Sequence, residues 1–252
     1  VKASRMFKPY PQEGEFILAI YVLVHGAWHG GWCWTRVAAN LRAAGHDVYT
    51  PTLTGLGDRY HLISPQYGLS THIADIVNLL RWEQLDNVVL CGHSYGGMVI
   101  TGVADKFASS IKSLVYLDAF VPKDGQSAFD LLHSRRAKSI KEKMALAGNG
   151  WLMPPTSAEA FGILDPDDQK WVDGNCVPMA VKAFEEPIRL SGDLPSKTLT
   201  YILAANYRPS SFHDVYKLVK TDKRWITHSL PTGHDVMITM PLELTNLLLT
   251  QS

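Results

Sequence analysis

The stretch that most constrains this chain is Val88-Val89-Leu90-Cys91-Gly92-His93-Ser94-Tyr95-Gly96-Gly97. The apolar run Val88 to Cys91 reads as a buried strand. Beyond the turn, Met98, Val99, Ile100, Val103 and Ala104 put an apolar face on a helix. Strand, sharp turn and helix with a serine at the apex is the G-x-S-x-G pattern of a nucleophile elbow. Its apex is held in strained backbone, so Gly92 and Gly96, two positions either side, must carry almost no side chain. The bland reading, a glycine-rich turn with an incidental serine, leaves the strand before and the helix after unexplained.

Other apolar runs extend the pattern. Strands are expected at Ile20 to Val24, Asp47 to Thr50, Ile111 to Leu117, Thr198 to Ala204 and Trp225 to Leu230. Helices are expected from Trp34 to Ala44, stopped by Gly45, after a cap at Ser70 or Thr71, and from Leu242 to Leu249. Alternation of strand and helix implies right-handed crossovers and an α/β fold with a mostly parallel, doubly wound sheet. Residues about 123–197 break the alternation. They hold a basic amphipathic piece (Arg135 to Lys143) and a Pro/Gly-broken apolar region with Trp151, Met153, Phe161, Trp171, Met179 and Phe184. An insertion of this length is expected to cap the strand ends. The whole reads as a single domain over residues 1–252, with residues 1–15 as a loose extension.

A chain of 252 residues with zero formal net charge shows no basic stripe for nucleic acid or a membrane surface. Phe16 to Val24 is apolar but too short to span a bilayer, and it lacks a small-residue cleavage site. The three cysteines, Cys33, Cys91 and Cys176, have no metal-binding or C-x-x-C spacing. They suggest a reducing, cytoplasmic setting, with no metal or cofactor.

A serine hydroxyl becomes nucleophilic only when a base takes its proton. Among ten histidines, His234 is best placed, in Pro231-Thr232-Gly233-His234 after the last strand, at the sheet edge where such folds build sites. His93 sits beside the serine but points elsewhere, and His25 shapes the first loop. The orienting acid normally follows the penultimate strand, where Ala205-Asn206-Tyr207-Arg208-Pro209 has no carboxylate. Asp118, ending the strand after the elbow, is preferred. Asp214 is the alternative, expected within a helix, and Asp235 adjoins the base but is expected to point away from it. Oxyanion donors are expected from the backbone N–H groups of Ala27 and Tyr95. Trp28, Phe120, Trp151 and Phe161 are expected to wall the substrate site.

At these residues the chain resembles a known family. Val22-Leu23-Val24-His25-Gly26-Ala27-Trp28-His29-Gly30-Gly31-Trp32, Ala43-Ala44-Gly45-His46 and Cys91 to Met98 resemble the α/β-hydrolase branch of plant methylesterases and hydroxynitrile lyases. Pro51 to Arg59 and Tyr116-Leu117-Asp118-Ala119-Phe120-Val121-Pro122 are more similar to its bacterial carboxylesterases, pyrethroid-hydrolysing ones among them. The resemblance implies an inserted cap and a serine esterase acting on hydrophobic carboxylic esters, bulky ones included, with aryl or pyrethroid-type esters in prospect and a homodimer left open. The plant enzymes carry their acid where this chain has Asn206-Tyr207, and the methylesterases have a small residue at the position of Asp118, so the acid has moved between strands. The lyases carry a lysine and a threonine where this chain has Asp235 and Gly26, which disfavours cyanohydrin cleavage. A carboxylate-nucleophile enzyme is excluded by Ser94. A lactonase with the same residues, and a ligand-binding protein that keeps the fold, stay open.

Overall fold

The computed structural model describes residues 18–146, 150–192, 197–208 and 210–251; the expected extension at 1–15 lies outside them. The first apolar run is β1 (Ile20–Val24), which passes through a tight 3₁₀ turn at Gly31–Trp34 into α1 (Thr35–Ala43) and then β2 (Asp47–Tyr49). Next come α2 (Leu69–Trp82), β3 (Val88–His93), α3 (Gly96–Phe107) and β4 (Ile111–Leu117). The following segment holds α4 (Ala128–Leu131), α5 (Ser134–Leu146), β5 (Leu152–Met153), α6 (Pro166–Asn175), β6 (Met179–Ala180) and α7 (Lys182–Glu185). The chain returns through β7 (Thr198–Ala204), α8 (Ser211–Val219) and β8 (Trp225–Leu230), and ends in α9 (Val236–Thr239) and α10 (Pro241–Leu249).

Six strands pair in the order β2-β1-β3-β4-β7-β8, every neighbour parallel. Alternate residues of each strand face opposite layers, as a period of two requires. Val22, Leu90, Leu114 and Tyr201 enter one core with Ile73 and Ile76 of α2 and Val99 and Val103 of α3. Leu23, Cys91, Val115 and Ile202 enter the other with Val37 and Leu41 of α1 and Leu244 and Leu248 of α10. Both faces are covered, so the central strands read as unbroken apolar runs. The segment after β4 lies against the first of these cores and carries its own two-stranded antiparallel ribbon, β5 with β6.

Some boundaries differ from the sequence reading. β3 runs on to His93 because the elbow approach keeps pairing, His93 opposite Leu117. β2 stops at Tyr49, and α1 starts at Thr35 after the 3₁₀ turn. α2 starts at Leu69, earlier than a Ser70 or Thr71 cap allows, and Gly68 makes no side-chain cap. The carboxylate of Glu186, from beyond α7, accepts from the Ser70 N–H at 3.1 Å. A negative charge at a helix N-terminus satisfies its free N–H groups and its dipole, and here it comes from residues distant in sequence. Among the described residues no helix is long and apolar enough to cross a membrane.

The elbow glycines are under steric demand. A Cβ on Gly92 would stand 2.6 Å from the Gly96 carbonyl oxygen, and one on Gly96 would stand 2.8 Å from that of Val24. Gly92→Ala is expected to lower unfolding free energy by about 1–3 kcal/mol through this overpacking. Gly174→Ala, in α6 with nothing within 4 Å of the added carbon, is expected to raise it by about 0.5–1 kcal/mol through helix propensity. Urea unfolding of the two variants beside wild type checks both signs.

Candidate active site

Three neighbouring strand ends are followed by side-chain-bearing residues in left-handed backbone. Trp28 after β1, Ser94 after β3 and Asp118 after β4 have φ of 67°, 54° and 42°. Such residues cost of order 1–3 kcal/mol each and persist where surroundings over-determine them. The surroundings do so here. Ser94 N–H donates to Leu117 O at 3.1 Å, and Ser94 O accepts from Gly97 N at 3.1 Å and Phe120 N at 3.2 Å. Asp118 N–H donates to Ile202 O at 2.7 Å.

Asp118 is fully buried and reaches His234 across the sheet edge: Oδ2 accepts from His234 Nδ1 at 2.6 Å. Its other oxygen accepts from the Ala204 N–H at 3.1 Å. With the proton of the ring held on Nδ1, His234 Nε2 keeps a free lone pair. Burial is the largest influence on both groups, raising the Asp118 carboxyl well above its usual range and lowering His234. Asp235 pulls His234 upward, and the charges of His29 and Arg136 push it down. The ring is fixed by stacking on Tyr207 (centroids 4.5 Å, 21°) and Phe212 (5.2 Å, 7°), with Phe161 at 5.5 Å. The His234 N–H donates to Phe161 O at 2.7 Å, so the capping segment holds the backbone of this turn.

The loop after β1 closes on the serine. A Cβ on Gly26 would stand 3.0 Å from Ser94 Cβ and 2.9 Å from His93 Nδ1, so only glycine fits. His25 Nδ1–H donates to Gly26 O at 2.8 Å while its Nε2 accepts from Leu53 N at 3.0 Å. Burial lowers His25 to about 3, and the neutral ring thus orients the Gly26–Ala27 peptide. Among the described residues the N–H groups of Ala27 and Tyr95 have no protein acceptor. Tyr95 is the N-cap of α3, where free amides and the helix dipole favour negative charge. Its hydroxyl donates to His72 Nδ1 at 2.9 Å, and His72 Nε2–H donates to Thr54 O at 3.1 Å.

A buried ion pair lies beneath this loop. Both ring nitrogens of His29 face acceptors: Nδ1 donates to Ala27 O at 2.7 Å and Nε2 to Asp235 Oδ2 at 3.2 Å. Burial opposes its charge, but Asp235 outweighs burial and raises His29 well above its usual value. Burial likewise opposes the Asp235 carboxylate, and His29 outweighs it, holding the group at about 2. His93 donates from Nε2 to His234 O at 3.1 Å, and burial keeps it neutral.

The other residues singled out from sequence fall as follows. Asp214 lies in α8 and is exposed, paired with His133 at 2.9 Å and Lys217 at 3.2 Å, away from His234. Trp28 is buried against Phe161 (6.1 Å) and Phe184 (6.3 Å), and its Nε1 donates to Met153 O at 3.0 Å. Phe120 packs on Phe212 at 5.0 Å. Trp151 is half-buried on the outer flank of the core and makes no ring contact with these aromatics among the described residues. Sequence reasoning did not single out Tyr207, Phe212, His29 or Arg136. Tyr207 stood in the turn found empty of acids, and an aromatic there was the available sign.

Comparison with known proteins agrees with this architecture. A model of the alpha/beta hydrolase family matches residues 21–246. Along 235 residues the chain is 47% identical to a carbendazim-hydrolysing esterase of Nocardioides sp. (strain SG-4G), covering 90% of this chain and 97% of that one. Methyl jasmonate esterase 1 of Vitis vinifera is 30% identical over 152 residues, 59% of this chain and 57% of its own. An extracellular alpha/beta-hydrolase of a Paenibacillus species superposes with a TM-score of 0.79 over 93% of this chain and 99% of that one, at 24% identity. A pyrethroid hydrolase of Sphingobium faniae JZ-2 does so with a TM-score of 0.62 over 92% and 96%, at 22% identity. The chain therefore belongs to the alpha/beta hydrolase family, and within it is a carboxylesterase.

Asp235→Asn is expected to cost about 3–5 kcal/mol, because it strands the His29 charge in the interior. In wild type the contribution of Asp235 is present above its usual value of 3.8 and is lost as pH falls to about 2. That of His29 is present below 6.5 and is lost as pH rises through its elevated pKa. The variant should lack the Asp235 step, which urea midpoints measured across pH 2.5–5 would reveal.

Proposed function

We propose that this carboxylesterase works through a covalent acyl-enzyme, with Ser94 as nucleophile, His234 as general base and acid, and Asp118 as the residue that orients His234. The observation that carries this reading is the 2.6 Å Asp118–His234 hydrogen bond, formed at the sheet edge that also presents Ser94 on its elbow. Ser94 Oγ attacks the ester carbonyl carbon while His234 Nε2 takes the hydroxyl proton. Asp118 stabilises the imidazolium so formed. The amides of Ala27 and Tyr95, free of protein acceptors, receive the developing oxyanion. Collapse expels the alcohol with the proton from His234. Water, activated by the same nitrogen, then releases the acid and restores the serine.

The residues around the site favour a hydrophobic ester. Trp28, Phe120 and Phe161 are buried, with Phe184 beside Trp28, an apolar lining with few polar groups. Aryl esters suit such a wall, and carbendazim, which the Nocardioides relative is named for hydrolysing, is the first compound to offer.

Steady-state hydrolysis of p-nitrophenyl butyrate tests this reading. Ser94→Ala and Asp118→Asn are each expected to lose about 10⁴-fold in kcat, while Asp214→Asn stays within about two-fold. Mass spectrometry of quenched wild type should find the acyl group on Ser94. Turnover that survives Ser94→Ala sinks the proposal, and near-wild-type Asp118→Asn removes the orienting role. The lowered His234 also places the acid limb of kcat/KM below pH 6.5, since the base is neutral above its pKa.

A further inference from the structure

Helix α5 is basic, and its charges are not equivalent. Arg135, Lys138, Lys141 and Lys143 are exposed, whereas Arg136 is half-buried and shares a helical stripe with buried Ile140 and Met144. Residues at i, i+4 and i+8 line one face, so a cation occupies an inward position. Its Nη2 donates to the buried Thr156 Oγ1 at 2.8 Å. Among the described residues no carboxylate pairs with Arg136, and apart from the bond to Thr156 its guanidinium N–H groups have no protein acceptor. A guanidinium has five donors in a planar fork, and withdrawing it partly from water without an anion is costly.

Arg136 also borders a small space beside the candidate site. Arg136 lines a cavity of about 50 Å³ with Leu132, His133, Tyr207, Ser211 and Phe212. That is room for one small polar group. Tyr207 and Phe212 are the rings that stack on His234. The cavity shares Leu132, His133 and Ser211 with the lining of a cleft of about 1170 Å³.

We propose that Arg136 is a substrate-specificity residue that receives a free carboxylate carried by the ester substrate, making half-esters of dicarboxylic acids a favoured class. The inference rests on the esterase reading of the Ser94 site. Two parallel N–H···O bonds from the fork match a carboxylate, and the apolar walls accept the methylene spacer. Occupancy has a second effect. The Arg136 charge disfavours the imidazolium of His234, and a bound carboxylate neutralises that charge, so an anionic substrate should raise the basicity of the catalytic base.

The test compares monomethyl succinate, glutarate, adipate and pimelate with the neutral methyl esters of matching length, by methanol release. Wild type is expected to prefer one half-ester over its neutral counterpart at least ten-fold in kcat/KM, with an optimum in spacer length. Arg136→Gln should reduce that ratio ten-fold or more and move the acid limb for neutral esters to higher pH. Arg136→Lys should restore part of the ratio, and Thr156→Val should keep it. Equal use of both classes by wild type, or a parallel loss of both in Arg136→Gln, overturns the proposal, the latter making the arginine structural. Titration calorimetry of the favoured half-ester with Ser94→Ala, with and without Arg136→Gln, separates the two readings. If wild type turns over p-nitrophenyl butyrate but none of these methyl esters, the half-ester proposal falls and the esterase reading stands; if it turns over neither, the reading of the Ser94 site falls, and calorimetry still decides whether Arg136 holds the carboxylate.

Discussion

The hydrogen bond from His234 to Asp118, 2.6 Å long and wholly buried, is the joint on which the site depends. It ties the turn after β8 to the end of β4, skipping the intervening strand β7. Adjacent strands lie about 4.8 Å apart, so an acid one strand further away still reaches a ring that leans across. The left-handed backbone of Asp118 turns its side chain along the edge, and the Ala204 N–H at the end of β7 holds its second oxygen. The strand that lacks an acid thus still contributes to the pair. The vacated turn supplies Tyr207 instead, stacked on the imidazole.

Beneath that joint lies a second layer of buried charge. His29 and Asp235 compensate each other, and the pair links the loop of Ala27 to the turn of His234. A buried ion pair contributes little net stability once desolvation is counted. Its geometry, though, fixes the loop of Ala27 against the turn of His234, two segments whose agreement in position the proposed mechanism requires. His25 orients the same loop while neutral, because Leu53 N–H and Gly26 O assign its two nitrogens opposite roles.

The segment between β4 and β7 is a structural partner of the site as well as its cover. Phe161 O fixes the His234 amide, Met153 O accepts from Trp28 Nε1, Trp28 O accepts from Val177 N, and Glu186 meets the start of α2. The turn of His234 and the loop of Trp28 are held by hydrogen bonds to this segment, so displacement of the segment would loosen both.

Much of the fold is legible in the order of residues because burial on both faces leaves apolar runs that need no knowledge of neighbours: the inner strands β1, β3, β4 and β7, and the elbow with its close-packed glycines, can be read this way, whereas the edge strands β2 and β8 are partly exposed and are placed by the alternation of elements. Ser94, His234 and Asp118 could be nominated because a parallel sheet sends its strand ends to one edge. Chain order favours Asp118 over Asp214 and Asp235 by its place at the strand end, without showing the contact that distinguishes them. That choice depends on which side chain crosses to the ring, and the structure puts Asp214 in solvent and Asp235 on His29. Nor could it show Glu186 at the start of α2, Phe212 on His234 or Arg136 turned inward, since each joins residues distant in sequence whose meeting is set by packing. The inner strands, the elbow and the sheet edge that carries the candidate site follow from the order of residues alone, because periodicity and steric exclusion are local. Which charges are paired and which are buried is set by the folded arrangement, because electrostatic partnership depends on distance through space.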